Sequence, residues 1–347
     1  MERLETEIYL RYKQIMESQG VGASPSMLCS SRASSCHPRA PSCHPRAPSC
    51  HPREGGDLSE KFAKRESRYT RMQDLLDRYD AFCFDGYGTL YNRGSFVYGG
   101  AQDWYTMLRA AGKQMRLITN AASDVDAVLA ADAAKRGFAF SEAETVSSGS
   151  LLKDLCAELR GRGLSLREVY YIGRETGKHV LENCGIAAVA PDAEPAEPVV
   201  AISSAKDTPE TYARAVEILR RPGAVLLVLN SDAWAPKIPE ENGVTVREPV
   251  SGALCERLRR DSVCAANGMA GCETFYLGKP FPAIWDKVKR TLPEGARVLM
   301  VGDTLGTDVL GAKVAGFDSA LVVGRNVPET ELEDDEIALG IKPDWYL

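Results

Sequence analysis

No run in this 347-residue chain approaches 18 uninterrupted apolar residues, so no membrane-spanning helix is expected. The segment Met1 to Gln19 is charged throughout and lacks the apolar stretch of roughly 7–15 residues that a secretory signal requires. Excess positive charge is missing as well. Through Arg71 there are 12 basic and 8 acidic residues, leaving 30 and 40 for the remainder, and a body near −10 offers no nucleic-acid surface. Histidine is limited to four residues; three sit in one repeated tract, and His179 stands alone in a helix-like segment, where no role is assigned to it. The ten cysteines form neither a disulfide framework nor a zinc pattern, since four lie in or beside the repeat and the other six are scattered. Reduced thiols and a cytoplasmic location are the expectation.

What is present begins with a repeat. Ser35-Cys36-His37-Pro38-Arg39-Ala40-Pro41 recurs at Ser42 and again, in part, at Ser49. Proline in each unit and no apolar periodicity leave nothing to build a core, so residues 1–71 are expected to form a disordered extension. Removing them is expected to leave the fold and its activity unchanged.

Beyond Met72 the pattern changes to short apolar runs alternating with helix-like segments, which implies a parallel sheet covered by helices on both faces. The most telling run is Phe82-Cys83-Phe84, which ends on Asp85 and is followed by Gly86 and Gly88. Four apolar residues from Ala81 suit a buried strand, the glycines suit a tight turn, and in open α/β sheets ligands bind at that end of the strand. A second alternating series from about Ser165 predicts a smaller α/β domain over 165–277, inserted into a core made of 72–164 and 278–347.

The ordered segments Asp85-Gly86-Tyr87-Gly88-Thr89, Leu117-Ile118-Thr119-Asn120, Gly278-Lys279-Pro280 and Gly302-Asp303-Thr304-Leu305-Gly306-Thr307-Asp308 resemble the four motifs of the haloacid dehalogenase superfamily. The insertion between the second and third, carrying Asn230-Ser231-Asp232, resembles the class IIA branch of NagD-like and 4-nitrophenyl phosphatase-like hydrolases. The resemblance implies a doubly wound, Rossmann-like α/β core with an inserted α/β cap, a phosphatase activity on a small phosphorylated metabolite, and a homodimer formed through the caps. It also implies that Asp85 is the nucleophile, that Lys279 neutralises charge beside it, and that Thr119, Asn120 and Asp232 contact substrate. Asp85, Asp303 and Asp308 at neighbouring strand ends would repel one another without a cation, and Mg²⁺, a hard ion that pairs with phosphate, suits them together with the Tyr87 carbonyl.

Tyr87 departs from the resemblance. Phosphatases of the family place a second Asp two residues after the nucleophile as general acid and base, and a phenol with a pKa near 10 is a poor base at neutral pH. The wording Asp-x-Tyr-Gly-Thr-Leu also occurs in 2-haloacid dehalogenases, where halide leaves without a proton. A dehalogenase-like hydrolase, and a ligand-binding protein of the same fold with little turnover, are therefore the alternatives.

Overall fold

The computed structural model describes residues 2–19, 30–31, 68–237, 246–263 and 272–347. Two sheets organise them. The first runs, in spatial order, Trp345–Tyr346, Asp318–Leu321, Val298–Gly302, Ala81–Phe84, Gln114–Thr119 and Thr145–Ser147, with every pairing parallel. Ala81–Phe84 is buried on both faces because helices cover the sheet front and back, as apolar runs without alternation predict. From this strand the chain passes to one neighbour, Gln114–Thr119, and much later to the other, Val298–Gly302. The crevice at such a reversal point is where an open α/β sheet binds ligands. Phe84 is in register with Leu117 on one side and Val301 on the other, so Asp85, Thr119 and Asp303 emerge side by side.

The second sheet is built largely from residues between the third core strand and Lys279. Its order is Ser30–Ser31, Glu273–Tyr276, Val225–Val228, Val199–Ile202, Glu168–Ile172 and Ala187–Ala188, parallel except where Ser30–Ser31 pairs antiparallel with Glu273–Tyr276. Helix Pro209–Leu219 on this sheet starts at Thr208, whose hydroxyl accepts from the Thr211 amide, with proline at its first position. A short hairpin, Trp234–Pro236 with Arg247–Pro249, reaches from this domain to the core, where Asn92 Nδ2 donates to the Pro236 carbonyl at 3.0 Å and Arg93 pairs with Glu248.

The expectation of a disordered extension through residue 71 fails at both of its ends. Residues Glu2–Ser18 form a helix whose Ile8, Tyr9, Tyr12, Ile15 and Met16 are buried in the main core cluster. The spacing of those five marks a single apolar stripe. Near residue 70 the chain is tied to the last strand: the Thr70 amide donates to the Tyr346 carbonyl at 3.0 Å, and Tyr69 stacks on Tyr346. The repeat itself, with its Cys-His pairs, lies outside the described residues. Helices Ser251–Ser262 and Leu332–Leu339 were also not anticipated; the second arises from what reads in sequence as an acidic surface run, yet it buries Leu332, Glu336 and Leu339. Among the described residues no helix is long and apolar enough to cross a membrane.

Candidate active site

Asp85 begins the turn after Ala81–Phe84, its amide bonded to the Val301 carbonyl at 2.9 Å. The turn is tight enough that glycine is needed at position 88: its φ is 105°, and a Cβ there would lie 2.0 Å from Asp303 Oδ2. Gly88 thus lets the strand ends of Asp85 and Asp303 approach. Thr119 ends its own strand one position away, its hydroxyl accepting from the Ala121 amide at 3.1 Å.

Lys279 enters from the segment that closes the inserted domain and is 1% exposed. Its Nζ donates to Asp85 Oδ1 at 2.5 Å, Asp308 Oδ1 at 2.7 Å and the Ile118 carbonyl at 3.2 Å. Burial works against its ammonium form, but Asp308 and Asp85 outweigh it and hold Lys279 above the usual lysine range. Burial pushes the Asp85 carboxyl up to about 7 against the pull of Lys279, with Asp308 adding to the rise. Asp303 is pushed well above the carboxylate range by burial, then by Asp85 and Asp308. One ammonium among four acids, Asp232 included, leaves the centre short of positive charge.

That shortage is localised. Asp303 Oδ2 is buried without a hydrogen-bond partner, while Oδ1 accepts from the Thr304 hydroxyl at 3.3 Å. A buried, unpartnered carboxylate oxygen is costly unless a cation meets it. The residues therefore fit Mg²⁺, which takes carboxylate, carbonyl and water oxygens. Asp308, expected as a ligand, is otherwise engaged: its Oδ1 accepts Lys279, and its Oδ2 accepts the amides of Asp303 and Thr304 at 3.1 Å each. Asp85, the Tyr87 carbonyl and Asp303 would hold the ion together with water.

The other expected residues divide. Asn120 is 1% exposed, and its amide is used within the protein: Nδ2 donates to Asp232 Oδ1 at 2.7 Å, Ser231 Oγ at 3.2 Å and the Lys279 carbonyl at 3.0 Å, while Oδ1 accepts the Lys279 amide at 2.7 Å. It is a joint between core, lysine segment and inserted domain. Asp85, Tyr87, Thr119 and Asp232 do face a common cavity of about 450 Å³. Burial lifts Asp232 to about 6, opposed by Lys279 and the Asn120 bond. Tyr87 packs edge-on against Tyr91, and its hydroxyl points to Asp132 Oδ2 at 3.5 Å. Burial, with Asp132 next, raises its phenol above 10 and keeps it neutral.

Sequence reasoning missed the far wall of the cavity, which includes Arg93, Asp124, Asp132, Arg136 and Arg174. Arg136 is held by Asp132 at 2.6 Å and lies over the Tyr91 ring, whereas Arg174 comes from the inserted domain. No motif marks them, because they come from helix and loop positions whose convergence only the fold creates.

Comparison with known proteins agrees with this arrangement. The profile of haloacid dehalogenase-like hydrolases matches residues 82–187, and a second, HAD-hydrolase-like profile matches 276–346. Human glycerol-3-phosphate phosphatase is 30% identical over 277 residues, covering 73% of this chain and 81% of that protein. A possible sugar phosphatase of the HAD superfamily from Cytophaga hutchinsonii superposes with a TM-score of 0.65 at 22% identity, covering 80% of this chain and 96% of the other. The glycerol phosphate phosphatase Rv1692 from Mycobacterium tuberculosis, solved in complex with magnesium, gives 0.53 at 25% identity, covering 74% and 72%. With the four motifs brought together at the ends of parallel strands beneath an inserted α/β cap, the chain belongs to the haloacid dehalogenase-like hydrolases, in their class IIA, NagD-like branch.

Proposed function

We propose that this protein is a Mg²⁺-dependent phosphatase that hydrolyses a small phosphorylated metabolite through an aspartyl-phosphate at Asp85. The observation that carries the reading is the Asp85 carboxylate, fixed at 2.5 Å from the buried Lys279 ammonium and facing a cavity of about 450 Å³. A carboxylate so held attacks phosphorus as a nucleophile, and the covalent intermediate splits one hard displacement into two easier ones. Lys279 counters the negative charge that gathers on the phosphoryl oxygens, and Asp308 keeps Lys279 in position. Thr119, at the adjoining strand end and lining the same cavity, would hold a non-bridging oxygen. Bound Mg²⁺ supplies electrostatic neutralisation of the phosphoryl group and of the carboxylates around it. The named phosphatases among the relatives support the substrate class.

Asp303 favours this reading over the dehalogenase-like alternative, since halide displacement needs no cation and gives no reason for a buried oxygen without a partner. The test is phosphate release from a panel of small phosphoesters with and without Mg²⁺. Release that requires Mg²⁺ and vanishes in Asp85→Asn is expected. A pure preparation that hydrolyses nothing in the panel, or an Asp85→Asn variant that keeps its turnover, overturns the reading.

A further inference from the structure

The N-terminal helix lies outside both family profiles, the first of which begins at residue 82, yet it touches both halves of the active site. Towards the inserted domain, the Tyr12 hydroxyl donates to the Ser231 carbonyl at 2.8 Å, directly before Asp232. Its ring stands edge-on to Tyr276 and Phe281, with centroids 5.2 and 5.0 Å away, and Arg11 pairs with Glu256 at 3.0 Å. Towards the core, Lys13 Nζ donates to the Leu339 carbonyl at 3.0 Å. Tyr9 lies flat against the turn that carries Asp303 and Asp308: a Cβ on Gly306 would fall 2.0 Å from its ring. A polar chain runs alongside. Asn326 Nδ2 bonds Glu5 Oε1 at 3.5 Å and the Thr304 hydroxyl at 3.0 Å, and that hydroxyl reaches Asp303 Oδ1.

We propose that helix Glu2–Ser18 is a positioning element of the active site, with Tyr12 fixing the inserted-domain loop that carries Asp232 and Tyr9 fixing the core turn that carries Asp303 and Asp308. It rests on the reading above only in taking the cleft at Asp85 as the place where substrate reacts. A cap moves relative to its core by default, because interfaces within a chain resemble transient ones. An element anchored on both sides narrows that movement, and it does so next to the residues whose spacing matters. All five apolar residues of the stripe share in the core, but the Tyr12 hydroxyl and the Tyr9 ring also meet the two loops, which Ile8, Ile15 and Met16 are not seen to do.

The test uses full-length variants and two readouts. Tyr12→Phe removes one hydroxyl and keeps the ring packing. It should raise KM for 4-nitrophenyl phosphate by up to about tenfold, the limit if the whole of one lost neutral hydrogen bond is felt in substrate binding, with kcat near wild type and only a small drop in melting temperature. Amide exchange should quicken at 230–234 and not in the Val199–Ile202 strand. Tyr9→Leu should quicken exchange at 303–309 and weaken Mg²⁺ binding measured by calorimetry without substrate. If Tyr9→Leu does not fold, Lys13→Ala with Arg11→Ala loosens the same helix from its surface and should give both exchange effects. Unchanged exchange in both loops overturns the proposal, and so does activity that falls only with the folded fraction at constant KM. If the wild type hydrolyses no phosphoester, the reading of the function fails, and the exchange data still decide the role of the helix.

Discussion

By the resemblance to the family's motif, Tyr87 stands where a second Asp would serve as general acid, and its hydroxyl is turned towards Asp132 at 3.5 Å with its phenol raised by burial. A neutral phenol is a poor base for water at pH 7, and its proton is directed at Asp132 rather than at a departing oxygen; missing general acid–base help costs about 10²–10⁴ in rate. Tyr87→Asp should therefore increase turnover of alkyl phosphates, by up to about 10², and that of 4-nitrophenyl phosphate much less, because its leaving group needs little protonation. Steady-state rates on the two substrates decide it, and a loss on both would mean that Tyr87 itself binds substrate. Asp303 invites a different measurement. In metal-free protein its carboxyl is buried, has one oxygen without a partner and is crowded by Asp85 and Asp308, so its neutral form is favoured. Asp303→Asn should raise the melting temperature in EDTA, because it removes an acid that must be protonated to fold at pH 7, and should abolish the further rise that Mg²⁺ gives the wild type. A melting temperature in EDTA at or below that of wild type would contradict this account.

The N-terminal helix carries a titration of its own. Glu5 pairs with Arg247 at 2.7 Å, but burial outweighs that partner, and with Asp335 nearby it pushes the carboxyl from its ordinary 4.5 up to about 7. Between those values the folded chain keeps a proton that the unfolded chain has lost, so stability is highest below pH 4.5 as far as this group is concerned and declines as pH rises towards 7. Glu5→Gln should flatten that decline, whose size is on the order of 1–3 kcal/mol. Denaturation curves of both proteins from pH 5 to 8 test it, and parallel slopes would refute it. This helix also marks where sequence reading ends. Ala81–Phe84 and Val298–Gly302 were legible because unbroken apolar runs stop at Asp85 and Asp303. The stripe of Ile8, Tyr9, Tyr12, Ile15 and Met16 is interrupted by charges, and its docking surfaces lie at Ser251–Ser262 and Leu332–Leu339, over 200 residues away. Nothing local announces such a partnership. Asn120 is similar: its motif was plain, but its four bonds to the lysine segment and the inserted domain were not.

Taken as a whole, the two domains meet around the cavity and hold one another by Asn120 to Asp232, Asn92 to Pro236 and Arg93 to Glu248. A cavity of about 450 Å³ between them has the size of a small-molecule site, and under the proposed function it suits a small ester better than a polypeptide. Phosphoserine peptides should accordingly resist hydrolysis under conditions in which small phosphoesters are consumed; comparable kcat/KM values for the two would show that the domains part widely during turnover. The helix Glu2–Ser18 has a consequence for how the molecule is made. It leaves the ribosome long before the Gly306 turn and Leu332–Leu339, which receive it, are synthesised. Until Leu332–Leu339 is made, the part of the stripe that packs there has no cover, and closure of this long-range contact waits for those residues. A nascent chain halted before Leu332 would leave that part of the stripe exposed, a condition that favours aggregation.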